Sequence, residues 1–183
     1  RAESTDGRIA SMPTNMERAF ETHPEAFAAW VQLNTAIKSR MPLRRYELAT
    51  VAAAQRLRSS YCSLAHGKVL RDDCGAPLAD IVRDRSTAGL DETDRAVMDL
   101  AEKVVDNATA IDDADRQRLR DLGLSDDEIM DVVLAATARC FLSKTLDALG
   151  VLPDAFLRDD FTPDELELLV VGRPIAEAGG AAA

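Results

Sequence analysis

The chain has 183 residues, of which 46% are hydrophobic and 30% charged, enough apolar matter for one ordinary core and too much of it for a disordered chain. Thirty-two acidic against 22 basic residues leave a net charge of −10, which excludes a nucleic-acid-binding charge for the chain as a whole. No apolar run approaches the roughly 18–20 residues of a membrane helix, and the charged stretch Arg1–Gly7 has no apolar run behind it, so neither a membrane span nor a secretory leader is expected.

Helical periodicity runs almost throughout. Residues 1–21 are polar and are expected to form a flexible N-terminal arm. Thr22-His23-Pro24-Glu25 reads as a capping box, with proline tolerated in the first turn. Phe27, Trp30, Val31 and Ile37 then mark a helix over about 23–39. Pro42 opens the next helix, whose middle, Leu48 to Ala54, is apolar nearly all round and so belongs at the centre of the fold. Ser59-Ser60 interrupts the pattern and is suited to cap a third helix over about 61–74, ended by Gly75 in a left-handed cap. A short helix follows over about 76–85, and Asp91 caps another with Val97, Leu100, Ala101, Val104 and Val105 as its stripe. The next runs over about 113–122 and stops at Gly123. Ser125 to Glu128 is a second capping box. It opens the longest helix, with Ile129, Val133, Ala136, Cys140 and Phe141 on its apolar face, which ends at Gly150. A third capping box, Thr162 to Glu165, starts a terminal helix to about Val171, and 172–183 is expected to be a disordered tail. With no period-two alternation, repeat or linker, the expectation is one all-α domain of about seven or eight helices over 22–171.

Three cysteines, Cys62, Cys74 and Cys140, are too few and too odd in number for a disulfide scaffold, which favours a reducing, cytoplasmic setting. The two histidines are His23 and His66. From Lys38 to Arg71 there are eight basic residues and one acid, Glu47, for a local net charge of +7. Solvated helix faces account for such a run, or else it sets an electropositive field around a site in this segment.

The chemistry-bearing group is Glu47, Cys62 and His66. Cys62 and His66 stand at i and i+4, on one helix face. Cys62 also falls in the first turn of its helix, where free amide hydrogens and the helix dipole favour a thiolate. A histidine can take the thiol proton and an acid can orient that histidine. Taken singly, each has a plainer role: a buried small hydrophobe for Cys62, a core or surface imidazole for His66, a neutraliser of Arg44 or Arg45 for Glu47. One Cys and one His supply only two ligands, so no metal is expected.

Arg44-Arg45-Tyr46-Glu47 followed by Ser59-Ser60-Tyr61-Cys62-Ser63-Leu64-Ala65-His66-Gly67 resembles the alkylhydroperoxidase D and carboxymuconolactone decarboxylase superfamily. Its peroxidase branch carries a Glu and, twelve residues on, Cys-x-x-Cys-x-x-x-His. Glu47, Cys62 and His66 match; Ser59 stands where the first Cys would be, and Tyr61 fits a common variant before the second. Leu124-Ser125 to Leu149-Gly150 looks like the family's long helix and its closing turn, so the resemblance covers roughly residues 20–170.

The resemblance implies an all-α fold assembled as a homotrimer or hexamer. It also implies thiol-dependent peroxidase chemistry at Cys62, His66 and Glu47, with Ser59 and Tyr61 in support and no cofactor. The substrate would be a peroxide or another small molecule. With serine at 59 the family's internal disulfide cannot close. Cys74 lies about 18 Å along the helix from Cys62, whereas a disulfide needs Cα atoms within roughly 7 Å. Cys140 lies on the distant long helix, so a redox cycle would need an external thiol reductant, a neighbouring subunit, or Cys140 brought close by folding. The alternatives are a lactone decarboxylase using Glu47 and His66 as acid and base on an anionic substrate, and a non-catalytic oligomeric scaffold.

Overall fold

The computed structural model describes residues 13–178. Among them are nine α-helices: α1 (Asn15–Ala19), α2 (Pro24–Lys38), α3 (Leu43–Arg56), α4 (Ser60–Asp72), α5 (Leu78–Asp84), α6 (Glu92–Asn107), α7 (Asp113–Asp121), α8 (Asp126–Ala148) and α9 (Pro163–Leu169). Two short 3-10 turns lie at Ala108–Ala110 and Ala155–Asp160, and no strand occurs among the described residues. The fold is all-α, with the eight expected helices in place and α1 in addition.

Helix α3 is the centre. Every residue from Tyr46 to Ala54 is buried, and α4, α6 and α8 pack around it. Alanine at 49, 52, 53 and 54 lets those neighbours approach from several sides, which a helix with a single apolar stripe could not allow. Helix α8 is the long outer wall. Its start is fixed by reciprocal bonds between Ser125 and Glu128, and Asp126, Asp127 and Glu128 complement the dipole of its first turn.

The junction between α3 and α4 sets the site. Arg58 takes φ 55, a left-handed conformation that costs a non-glycine residue about 1 kcal/mol or more, and Ser59 returns to extended backbone as the N-cap of α4. This sharp turn folds α4 back against α3 after three residues. The Gly172 N–H donates to Ser60 Oγ at 2.8 Å, while the glycine backbone lies so close to the Arg58 carbonyl that no Cβ would fit.

Several sequence expectations are corrected. The capping box at Thr22 does not form: His23 is the N-cap of α2, without a side-chain cap, and Thr22 Oγ1 lies 2.9 Å from His23 Nδ1 instead. The expected arm 1–21 carries α1, closed by reciprocal Thr14–Glu17 bonds, and its Asn15 is buried, the Asn15 N–H donating to Asp154 Oδ1 at 2.8 Å. Residues 1–12 lie outside the described residues. Of the expected disordered tail 172–183, the segment to Ala176 is docked: Ile175 is buried, the Ala176 N–H donates to the Pro153 carbonyl, and Arg173 donates to the Asp147 carbonyl. Residues 179–183 lie outside the described residues. The buried face of α8 is Ile129, Val132, Ala135, Ala136, Arg139, Leu142, Ser143 and Leu146, rotated from the expected stripe, so Phe141 is exposed. Gly75 does take a left-handed cap at φ 63.

Candidate active site

Helices α2, α3, α4 and α8 each send a polar side chain to one buried point. Glu47, fully buried on α3, has its Oε2 2.6 Å from His66 Nδ1 on α4. Lys38, at the end of α2, places its ammonium 3.3 Å from Glu47 Oε1, an ion pair without hydrogen-bond alignment. From α8, Arg139 donates from one Nη to His66 Nε2 at 2.7 Å and from the other to Asn34 Oδ1 at 2.7 Å. Tyr46 OH donates to the same Asn34 oxygen at 2.7 Å, and the Tyr46 ring meets the His66 ring edge-on with centroids 5.9 Å apart.

These bonds determine the protonation of His66. A guanidinium can only donate, so Nε2 must accept, and the ring proton therefore sits on Nδ1 and is given to Glu47. The imidazole is held neutral: burial pushes its pKa down, the Arg139 charge adds to that, and the hydrogen bond to Glu47 opposes both without prevailing. Burial pushes the Glu47 carboxyl up, but the His66 hydrogen bond and the Lys38 charge more than offset it, so it lies below the ordinary value and is ionised. Burial is likewise the main cause that raises the Tyr46 phenol.

Cys62 is buried in the first turn of α4, one helical turn before His66 on the same face. No hydrogen bond joins it to His66, whose two nitrogens are taken by Glu47 and Arg139. All three cysteines are free.

The supporting residues fall elsewhere. The Ser59 side chain caps nothing: its hydroxyl is buried without a hydrogen bond, beside the Asp147 carboxylate of α8. Tyr61 points away from the pair and donates to Asp154 Oδ2 at 2.5 Å. That aspartate also receives the Asn15 N–H, so Tyr61 ties α4 to the N-terminal segment. Its phenol is raised, first by burial and then by this bond.

The basic run brings one cation, Lys38, to the site, and six of its other members pair with acids elsewhere. Arg44 pairs with Asp94, Arg45 with Glu128, Arg40 with Asp131, Arg56 with Asp106, Lys68 with Asp160 and Arg71 with Glu165, each acid coming from outside the run. The alternative role of Glu47 as partner to Arg44 or Arg45 fails for the same reason. The cation that reaches His66 is Arg139, which the sequence reading missed. Its signal was legible: an arginine at the i, i+3, i+4 spacing of Val132, Ala135, Ala136, Leu142 and Leu146, on the inner face of the longest helix.

No family model and no curated protein matches the sequence. Solved structures do match. An uncharacterised peroxidase-related protein of Ralstonia eutropha JMP134, described as an alkylhydroperoxidase AhpD core, is similar at TM-score 0.72 and 21% identity over 90% of this chain and 85% of that one. An uncharacterised peroxidase-related protein of Silicibacter sp. TM1040 is similar at TM-score 0.69 and 25% identity over 76% of each chain. A protein of unknown function from Agrobacterium tumefaciens is similar at TM-score 0.63 and 23% identity, over 76% of this chain and 95% of that one.

The chain is thus an all-α protein whose central helix α3 and its successor α4 present Glu47 and His66 to each other. Within the all-α class its fold is the alkylhydroperoxidase D-like fold, as the Glu47, Cys62 and His66 motif implied. Among the described residues no helix is long and apolar enough to cross a membrane, and no group of three or more His, Cys, Asp or Glu is placed to hold a metal ion.

Proposed function

We propose that this chain is a thiol-dependent, peroxidase-like oxidoreductase with one reactive cysteine, Cys62. The observation that carries the reading is the 2.6 Å bond from His66 Nδ1–H to Glu47, with Cys62 one turn before His66 on α4. Glu47 fixes the tautomer that leaves Nε2 as the basic nitrogen. The Cys62 proton passes to Nε2, the thiolate attacks one oxygen of a peroxide, and the O–O bond breaks. Cys62 becomes a sulfenic acid and the other oxygen leaves as an alcohol or water, taking the proton from His66. Two equivalents of an external thiol return the cysteine, releasing water and a disulfide. A reducing, cytoplasmic setting is part of this reading, in keeping with three free thiols. So is assembly into a trimer or hexamer, which would cover Val31, Leu33, Met130 and Phe141, now 45%, 52%, 54% and 49% exposed.

Intact mass spectrometry after stoichiometric peroxide tests the chemistry. Addition of one oxygen to the wild type and none to Cys62→Ser is expected; equal oxidation of both would overturn it.

A second reading has one observation in its favour: His66 contacts Glu47 and Arg139 rather than the thiol. Glu47 and His66 would then act as acid and base on an anionic lactone. Activity lost in His66→Ala and retained in Cys62→Ser would select it.

A further inference from the structure

Arg139 carries a charge that no acid among the described residues pairs with. It is 2% exposed, yet its partners are a neutral imidazole, an amide oxygen and the face of Trp30, 4.8 Å from the guanidinium carbon. Its Nε is buried with no partner at all. Of the four buried acids among the described residues, Glu47, Asp131 and Glu165 have a cation against them, in Lys38, Arg40 and Arg71, and Asp154 accepts from the Asn15 N–H and Tyr61 OH instead. Around His66 the balance is Lys38 and Arg139 against Glu47, one positive charge in excess. A buried guanidinium left in that condition is costly, and an ion pair is its strongest remedy. The site meets solvent at its rim, where the side chains of His66 and Lys38 are 14% and 42% exposed.

We propose that Arg139 is the substrate-reading residue: it pairs with the carboxylate of a small monoanionic ligand and, in doing so, gives up its hold on His66 Nε2. The bond to the imidazole already has an ionised donor, but a carboxylate adds the opposite charge and can take two donors of the planar guanidinium fork, so the ligand competes with the imidazole. One carboxylate cancels the one excess charge. In the free protein Arg139 occupies the lone pair that a base must offer, and the base is released when the ligand arrives. The anion step stands by itself. The gain in thiol reactivity rests on the proposed role of His66 as the base for Cys62.

The probe is sodium acetate, titrated at constant ionic strength against sodium chloride, with the ring signals of His66 read by NMR. His23, exposed and the only other histidine, is the internal control. A saturable His66 shift with acetate and not with chloride is expected in the wild type and absent in Arg139→Gln. In parallel, alkylation of Cys62 by neutral iodoacetamide is expected to quicken on the order of tenfold at saturating acetate, and to be independent of acetate in Arg139→Gln. No saturable shift, or the same shift with chloride or in Arg139→Gln, overturns the proposal. Should Arg139→Gln not fold, the wild-type comparison of acetate with chloride decides alone. A His66 shift with an unchanged alkylation rate supports Arg139 as the anion site and counts against His66 as the base for Cys62.

Discussion

Glu47 and His66 are 19 residues apart and lie on different helices, yet a 2.6 Å hydrogen bond joins Oε2 to Nδ1. Groups brought that close fix each other: the carboxylate sets the tautomer, and the imidazole supplies one of the few donors in reach of the buried middle of α3. Lys38 completes the pair from α2, at the edge of solvent.

Removing the acid therefore disturbs both stability and chemistry. Glu47→Gln should cost on the order of 2 kcal/mol, less than a fully buried pair would because Lys38 is 42% exposed. It should slow peroxide oxidation of Cys62 by about 100-fold, the usual weight of a positioned base. Urea titration and the oxidation rate measure the two effects. An unchanged rate would separate Glu47 from the chemistry.

Acid should destabilise the fold in two stages. His66 has a lowered folded pKa, so below the ordinary imidazole value of 6.5 the unfolded chain binds a proton that the folded chain refuses. Glu47 also has a lowered folded pKa, so its contribution is present above the ordinary carboxyl value of 4.5 and is lost as the pH falls through the folded value. Both act in the same direction. The urea midpoint should begin to fall between pH 7 and 6 and fall further below pH 4.5. The first stage should be absent in His66→Gln.

Ser59 and Cys62 are the N-cap and third residue of α4, three positions apart and both buried. Serine and cysteine are close in shape, so Ser59→Cys should leave the fold intact and form a reversible disulfide with Cys62. Limited peroxide should then remove two hydrogens from the variant and add oxygen to the parent. Addition of oxygen to both would mean that the two positions do not share disulfide geometry.

Gly172→Ala should destabilise the protein by about 2 kcal/mol, because a methyl group there overlaps the Arg58 carbonyl oxygen and neither backbone can easily move. The loss falls on the turn that starts α4, so Cys62 alkylation should change with it. A wild-type urea midpoint would show that the C-terminal segment does not brace the turn.

In solution, light scattering at micromolar concentration should give a trimer or hexamer mass. Phe141→Asp, on the exposed face of α8, should shift it toward monomer. A wild-type monomer would remove the assembly.

The sequence by itself determined the helices and three residues of the site. Capping boxes at Ser125 and Thr162, the Asp91 cap and the all-apolar middle of α3 are local signals, because caps and stripes depend on residues within one or two turns. Cys62 and His66 were readable together for the same reason: they share one helix face. The tertiary structure decided what faces that pair. Arg139 lies 73 residues beyond His66, and Asn34 lies on α2, so no local pattern could join them to it. The pairing of the basic run with distant acids, the turn of Tyr61 toward Asp154 and the docking of residues 172–176 were decided in the same way. Each depends on which helices pack together, and packing joins surfaces whose partners are far apart along the chain.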